Sequence, residues 1–137
     1  MPLDHDAIRH LLAQTRTIAI VGLSPDEQRP SHDVARYLQA HGYRIVPVNP
    51  RCSEVLGERC FASLEEIPFP VDVVDVFRRT EEVVPIARSA VAIGARGLWQ
   101  QLGVVNTDAD AIATTGGLVS VMDRCIKIDH SRLLAGR

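Results

Sequence analysis

Short apolar runs alternate with longer amphipathic stretches along this chain, and that alternation is typical of strands connected by helices. The apolar runs predict five strands, at residues 17–21, 43–48, 71–76, 95–99 and 118–122. The stretches around them predict a helix at 4–15 and further helices that begin near Ser31, Thr80 and Thr107. The irregular segment 51–70 predicts a loop with a helical turn near 64–67, and the tail at 123–134 is expected to be partly helical and packed on the body.

The composition indicates what the core is made of and which partners to expect. Hydrophobic residues make up 46% of the 137 residues and aromatic residues only 4%, so Val, Ile, Leu and Ala must build the core, as in a buried parallel sheet. The net charge is −2, with Lys and Arg spread along the chain, so we expect no nucleic-acid partner. No apolar run approaches the roughly 20 residues that span a bilayer, so we expect no membrane partner.

The three cysteines (Cys52, Cys60 and Cys125) are odd in number and lack the spacing of metal ligands. Free thiols in a reducing compartment are the simplest interpretation. We therefore predict a cytoplasmic protein without a metal site.

Strands joined by helical crossovers run parallel, and those crossovers are right-handed. The predicted fold is α/β: a three-layer, Rossmann-like domain with a five-stranded parallel sheet of order 3-2-1-4-5 and helices on both faces. The chain shows no composition break, so residues 1–137 are expected to form one domain. Ligands bind such folds at the carboxyl ends of the strands, here beside the switch between strands 1 and 4.

The segments that follow the strands therefore supply the candidate site. They are Gly22, Leu23, Ser24, Pro25, Arg29 and Ser31 after strand 1, Asn49, Pro50 and Arg51 after strand 2, Phe77 and Arg78 after strand 3, and Gln101 and Gly103 after strand 4. The first loop suits a phosphate, because a helix N-terminus offers free N–H groups and Arg29 and Ser31 add donors. The alternative is that Ser31 only caps the helix and Arg29 is a solvated charge. A valine at Gly22 is expected to abolish binding and leave the domain folded.

The usual dinucleotide fingerprint is absent from this loop. G-x-G-x-x-G would place glycines two and five positions after Gly22, where Ser24 and Glu27 stand. Asn49-Pro50 ends strand 2 in place of an acid, and Arg51 suits a phosphate better than a bare ribose. NAD is therefore disfavoured, while an NADP-type ligand remains an alternative.

Five segments in order resemble the small stand-alone CoA-binding protein family, which is related to the CoA-binding domain of the succinyl-CoA synthetase alpha subunit and of ADP-forming acyl-CoA synthetases. The segments are Ile20-Val-Gly-Leu-Ser-Pro25 with Arg29-Pro-Ser31, Tyr43-Arg-Ile-Val-Pro-Val-Asn-Pro50, Val71-Asp-Val-Val-Asp-Val-Phe-Arg78, Trp99-Gln-Gln-Leu-Gly103 and Val121-Met-Asp-Arg-Cys125. The resemblance covers about residues 17–133. It implies a Rossmann-type fold with coenzyme A lying across the strand ends.

The resemblance also implies roles for individual residues. Gly22 and Ser24 would approach the diphosphate, Arg51 would meet a ribose or adenine-side phosphate, Phe77 and Arg78 would border the adenosine or pantetheine path, and Gln101 and Gly103 would flank the pantetheine. The related synthetases pass phosphate through a histidine of a second domain, for which this chain is too short.

No catalytic constellation is visible in the sequence. The five histidines fall in predicted helices or the tail, and no Ser-His-Asp, Cys-His or metal-ligand set has supporting spacing. We expect non-catalytic binding of CoA or acyl-CoA by a carrier, sensor or partner module, as a homo-oligomer or beside a partner enzyme subunit. The alternatives are an NAD(P)-binding oxidoreductase or redox sensor with an atypical phosphate loop, and an interaction domain without a small molecule.

Two aspartates stand three apart in strand 3, so Asp72 and Asp75 are expected to face opposite sides of the sheet. Asp75 lies near the carboxyl end of that strand. It is expected either to orient a group in the site or to accept a hydrogen bond from a neighbouring loop.

Overall fold

The computed structural model describes residues 4–134, and residues 1–3 and 135–137 of the predicted domain lie outside that range. The helices in the described range are α1 (His5–Gln14), α2 (Pro30–Ala40), α3 (Val83–Ala92), α4 (Thr107–Thr115) and α5 (Ile126–Leu133). The strands are β1 (Thr17–Val21), β2 (Arg44–Val48), β3 (Glu54–Val55), β4 (Glu58–Arg59), β5 (Val73–Val76), β6 (Gly97–Gln100) and β7 (Val119–Val121). Turns of 3-10 helix cover Leu64–Glu66 and Thr80–Glu82. All five predicted strands are present, and the β3–β4 hairpin is an addition within the segment expected to be a loop.

Five of these strands form one parallel sheet of order β2-β1-β5-β6-β7. The predicted α/β fold with a five-stranded parallel sheet is confirmed. The order differs in one respect: counted along the chain, the five strands lie as 2-1-3-4-5, so the third strand lies beside the first and not beyond the second.

The outer edge of β2 is occupied before the chain reaches its third long strand. Phe61 forms a parallel bridge to Val48, and its N–H donates to the Pro47 carbonyl at 3.0 Å. Because β1 already covers the other edge of β2, β5 pairs instead with the second edge of β1. The reversal of strand order therefore falls between β1 and β5, and the loops that follow these two strands are adjacent.

Helices cover both faces of the sheet, as the three-layer prediction requires. Along β1, Ile18 and Ile20 pack in the core beneath α1, α2 and α5, while Ala19 and Val21 pack in the core on the α3 and α4 side. Alternate side chains of a strand point to opposite faces, so one apolar run supplies both cores. Trp99 is fully buried in the first of these cores, and its Nε1 donates to the Arg124 carbonyl at 2.8 Å.

The tail is helical and packs on the body, as expected. The Tyr37 hydroxyl on α2 lies 2.8 Å from Nδ1 of His130 on α5, and Lys127 Nζ donates to Asp33 at 2.8 Å. Burial, followed by the neighbouring His41, lowers the pKa of His130, which favours the neutral form of the ring in this contact. No helix within residues 4–134 combines the length and hydropathy needed to cross a membrane.

Candidate functional site

A groove of about 970 Å³ crosses the carboxyl ends of four neighbouring strands, β2, β1, β5 and β6. Its lining residues are Val21, Gly22, Ser24, Arg29, Val48, Asn49, Pro50, Arg51, Ala62, Phe77, Arg78, Arg79, Glu82, Gln101, Leu102 and Val104. Nine of the thirteen residues predicted from the sequence are therefore brought together: Gly22, Ser24, Arg29, Asn49, Pro50, Arg51, Phe77, Arg78 and Gln101.

Four predicted residues do not line the groove. Leu23 is fully buried in the core beneath α1, α2 and α5, and Pro25 lies exposed on the outer part of its loop. Ser31 is also buried, inside the first turn of α2. Gly103 adopts a φ of +86°, and its N–H donates to the Asp123 carboxylate at 2.7 Å. These positions shape the loops without forming the surface of the groove.

Gly22 is required by the close approach of two loops. Its φ is +91°, and a Cβ atom built there would lie 2.3 Å from the Phe77 carbonyl oxygen and 2.9 Å from Cδ of Arg78. We therefore expect a valine at Gly22 to destabilise the domain as well as to block binding, because the side chain would collide with the backbone that follows β5. Since β5 is the direct neighbour of β1, this contact is a consequence of the observed strand order.

Two serine hydroxyls accept hydrogen bonds from backbone N–H groups within the loop between β1 and α2. The Ser31 hydroxyl accepts a hydrogen bond from the Ser24 N–H at 3.0 Å, and the Ser24 hydroxyl accepts from the Asp26 N–H at 3.1 Å. Helix α2 begins with Arg29 as its N-cap and Pro30 at its first position, so Ser31 is not the cap. The N-terminus of α2 thus adjoins the groove beside Arg29, and its partial positive charge favours an anion there.

Asn49 joins the loop after β2 to the loop after β1. Its Nδ2 donates to the Leu23 carbonyl at 3.0 Å, and its Oδ1 accepts from the Arg51 N–H at 2.9 Å. Both ends of the side-chain amide are therefore engaged within the protein. Asn49 acts as a positioning residue for Arg51.

The groove is positively charged over β2, β1 and β5. Arg29, Arg51, Arg78 and Arg79 line it, against a single carboxylate, Glu82. Glu82 accepts from the Arg78 guanidinium at 2.7 Å, and this hydrogen bond lowers the pKa of Glu82. Because one carboxylate cannot neutralise four guanidinium groups, the groove favours an anionic ligand although the whole chain carries a charge of −2.

The end of the groove over β6 differs in character. Leu102 is 66% exposed, Val104 lies beside it, and Gln101 is buried with its Oε1 accepting from the Ile126 N–H at 3.0 Å. This rim is anchored to the turn after β5, because the Asn106 side chain donates to the Thr80 carbonyl at 2.8 Å. The groove therefore runs from a cationic end to an apolar end.

A sequence model of the CoA binding domain matches residues 16–131, a span that contains every residue lining the groove. The chain belongs to the CoA binding domain family. The resemblance stated from the sequence motifs is thereby confirmed.

Two other proteins are similar to this chain along most of their length. The uncharacterized protein YneT of Bacillus subtilis is 40% identical over 124 residues, which cover 90% of this chain and 92% of YneT. A solved structure of a hypothetical protein from Pyrococcus horikoshii OT3 superposes with a TM-score of 0.94 at 38% identity, covering 97% of this chain and 94% of that chain.

The chain is also similar to part of a larger protein, the alpha subunit of the ADP-forming acetate–CoA ligase II of Pyrococcus furiosus. The two are 31% identical over 87 residues, which amount to 61% of this chain and 18% of the ligase subunit. This CoA binding domain is thus related to a small part of an acyl-CoA-forming enzyme.

Seven groove residues of the CoA binding domain were not among the predicted site residues: Val21, Val48, Ala62, Arg79, Glu82, Leu102 and Val104. Five of the seven lie directly beside a predicted residue in the sequence, so they belong to the same strand ends and loops. Glu82 reaches the groove through the 3-10 turn at Thr80–Glu82, and Ala62 through the return of the chain along β2. Neither of those two placements leaves a signal in the local sequence.

Asp75 lies below the groove and outside it. It is fully buried on β5 between Ile20 of β1 and Trp99 of β6, and none of the described groups lies within hydrogen-bond distance of either carboxylate oxygen. Burial raises the pKa of the Asp75 carboxyl well above its usual range. The two roles expected for Asp75, as an orienter in the site or as an acceptor for a loop, are therefore wrong. Asp72 does accept such bonds, from the N–H groups of Arg16 and Thr17 at 2.9 and 3.0 Å.

Proposed function

We propose that this domain binds coenzyme A or an acyl-CoA in the groove across the strand ends and acts as a carrier, sensor or partner module. The observation that carries the proposal is the cationic groove at the N-terminus of α2, which continues into an apolar end over β6. CoA has the matching chemistry, with three phosphates at one end and an uncharged pantetheine arm at the other. The groove volume, about 970 Å³, suits a ligand of this size.

The proposed orientation follows the charges. The 3′-phosphate end lies over β2 at Arg51, and the diphosphate lies over the loop after β1, where Arg29, Arg78 and the N-terminus of α2 converge. The pantetheine arm then extends over Leu102 toward β6. Arg78 exchanges part of its contact with Glu82 for the phosphate when the ligand binds.

The chemistry of the lining supports a binding role over a catalytic one. Among the described residues that line the groove, Glu82 is the sole carboxylate, it is paired with Arg78, and none is a histidine or cysteine. The matched region is 18% of the related ligase subunit, which agrees with a ligand-binding domain that works beside a partner enzyme subunit. We place the protein in the cytoplasm, because its three cysteines are unpaired in the structure, as is usual in a reducing compartment.

Isothermal titration of the ligand-stripped protein with CoA, NADH, NADPH and ATP tests the proposal. We expect heat of binding with CoA and little with the other three, because they lack the pantetheine arm that contacts the β6 end. Binding to NADPH without binding to CoA would establish the NADP-type alternative, which also places a phosphate at Arg51.

Replacing Arg51 with alanine is expected to weaken CoA binding about tenfold, or by about 1.4 kcal/mol. Dephospho-CoA lacks the ribose phosphate, so its affinity should fall about twofold or less. Titration of both ligands into the variant measures the difference. The matched control is Arg88→Ala, which removes an exposed arginine of α3 outside the groove and should leave both affinities unchanged. Equal losses for the two ligands would remove Arg51 from the phosphate-binding role.

A further inference from the structure

Two cysteines flank the β3–β4 hairpin next to the groove. Cys52 follows Arg51 directly, and Cys60 comes two residues before Ala62, so both cysteines are close in sequence to residues that line the groove. The chain between them turns back at Leu56 and Gly57, whose φ values of 53° and 78° are typical of a tight hairpin turn.

Cys52 and Cys60 lie at the base of this hairpin, one at the end of each arm. Both side chains are half-buried and pack against the core beneath α1, α2 and α5. Across the base of the hairpin, the Cys60 N–H donates to the Ser53 carbonyl at 2.9 Å. Burial, and then the neighbouring Cys52 thiol, raise the pKa of the Cys60 thiol.

Hydrogen bonds fix the hairpin at its turn and at its base, so Cys52 and Cys60 stay near each other. The Gln39 side chain of α2 donates to the Leu56 carbonyl at the turn, at 3.1 Å. At the other end the Asn49 N–H donates to the Phe61 carbonyl at 2.9 Å. A pair of thiols held together on a short hairpin reacts within the chain faster than with a second molecule, because the effective concentration is on the order of millimolar or higher.

We propose that Cys52 and Cys60 are a redox modification site that forms a reversible intramolecular disulfide and thereby fixes the hairpin that directly follows Arg51. The oxidant is a small-molecule disulfide. One protein thiolate attacks a sulfur of that disulfide and expels a small thiolate, giving a mixed disulfide. The second protein thiolate then displaces the other half, so two electrons pass from the protein to the oxidant and two small thiols leave, taking up the two protons of the protein thiols.

Oxidised glutathione is the probe for this reaction, and trypsin makes the product readable. Cleavage after Arg51 and Arg59 separates Cys52 (peptide 52–59) from Cys60 (peptide 60–78), and cleavage after Arg124 isolates Cys125. After oxidation and blocking of free thiols, we expect the first two peptides to be joined and to separate on reduction. Cys125 follows β7, at the opposite edge of the sheet from β2, so it should remain free or carry glutathione alone.

Serine variants supply the controls. In Cys52→Ser and Cys60→Ser the remaining thiol should accumulate a glutathione adduct, because no second thiol resolves it, whereas Cys125→Ser should form the disulfide like the natural chain. The proposal is overturned if the natural chain accumulates separate adducts at Cys52 and Cys60, or if the linked peptides pair Cys125 with either. None of these readouts depends on CoA binding, so they stand or fall apart from the proposed function.

Discussion

Alanine at Gly22 should lower the free energy of unfolding by about 3–4 kcal/mol and abolish CoA binding. Two effects add at this position. The residue has a φ of +91°, which a side chain tolerates poorly, and the new Cβ would lie 2.3 Å from the Phe77 carbonyl oxygen. Relief of that collision requires β1 and β5 to separate where the groove begins. Urea unfolding of the natural and variant proteins measures the loss, and titration with CoA measures the effect on the site.

Gly42 provides a matched control for this substitution. Its φ is +93°, nearly the same as that of Gly22, but none of the described heavy atoms lies within 4 Å of a Cβ built there. Gly42→Ala should therefore show only the conformational cost, about 1–2 kcal/mol, with CoA affinity retained. The difference between the two variants isolates the collision with Phe77. Similar losses of stability in both would contradict the close approach of the two loops.

Valine at Asp75 should stabilise the protein, by about 1–3 kcal/mol at pH 8. The carboxyl is fully buried without a described hydrogen-bond partner, so ionising it in the folded state is costly. Burial raises the pKa of Asp75 in the folded chain, whereas the unfolded chain has the ordinary pKa of about 3.9. The folded state therefore binds this proton more tightly than the unfolded state does. The stabilisation that results from proton binding is fully present below the unfolded pKa and is lost as pH rises through the folded pKa.

Urea midpoints of the natural protein and Asp75→Val, measured from pH 5 to pH 8, test this prediction. The advantage of the variant should grow with pH, because only the natural chain carries the proton. Asp72→Ala is the control of opposite sign: it removes the acceptor for the Arg16 and Thr17 N–H groups and should cost about 1–2 kcal/mol. A gap between Asp75→Val and the natural chain that is constant with pH would show that Asp75 is not protonated on folding.

The positions of the elements were predictable because each depends on local pattern. The run at 17–21 coincides with β1, and the residues at its end, Gly22 and Ser24, line the groove. Arg51, Phe77 and Gln101 were found by the same reasoning, since the carboxyl ends of parallel strands meet at one edge of a sheet.

The strand order and the hydrogen-bond partners of several side chains were not predictable, because both depend on contacts between segments that are distant in the sequence. The bridge of Phe61 to Val48, which occupies the edge of β2, involves a residue from a segment with no strand pattern of its own. In the same way, Asn49 and Gln101 stand at strand ends like binding residues, yet their hydrogen bonds go to Leu23 and Ile126. The identity of a residue at a strand end predicts a loop at the site, but it does not show whether the polar atoms of that residue form hydrogen bonds within the protein or face a ligand.

The groove passes over four adjacent strand ends, so the spacing of the strands sets the distance between its two ends. Neighbouring strands lie about 4.8 Å apart, so three intervals place the ends of β2 and β6 about 14 Å from each other. A ligand must be at least that long to contact Arg51 and cover Leu102 together. A mononucleotide can neutralise the arginines but leaves Leu102 exposed to water. The spacing of the strands therefore favours a longer ligand over a mononucleotide, without an additional specificity pocket.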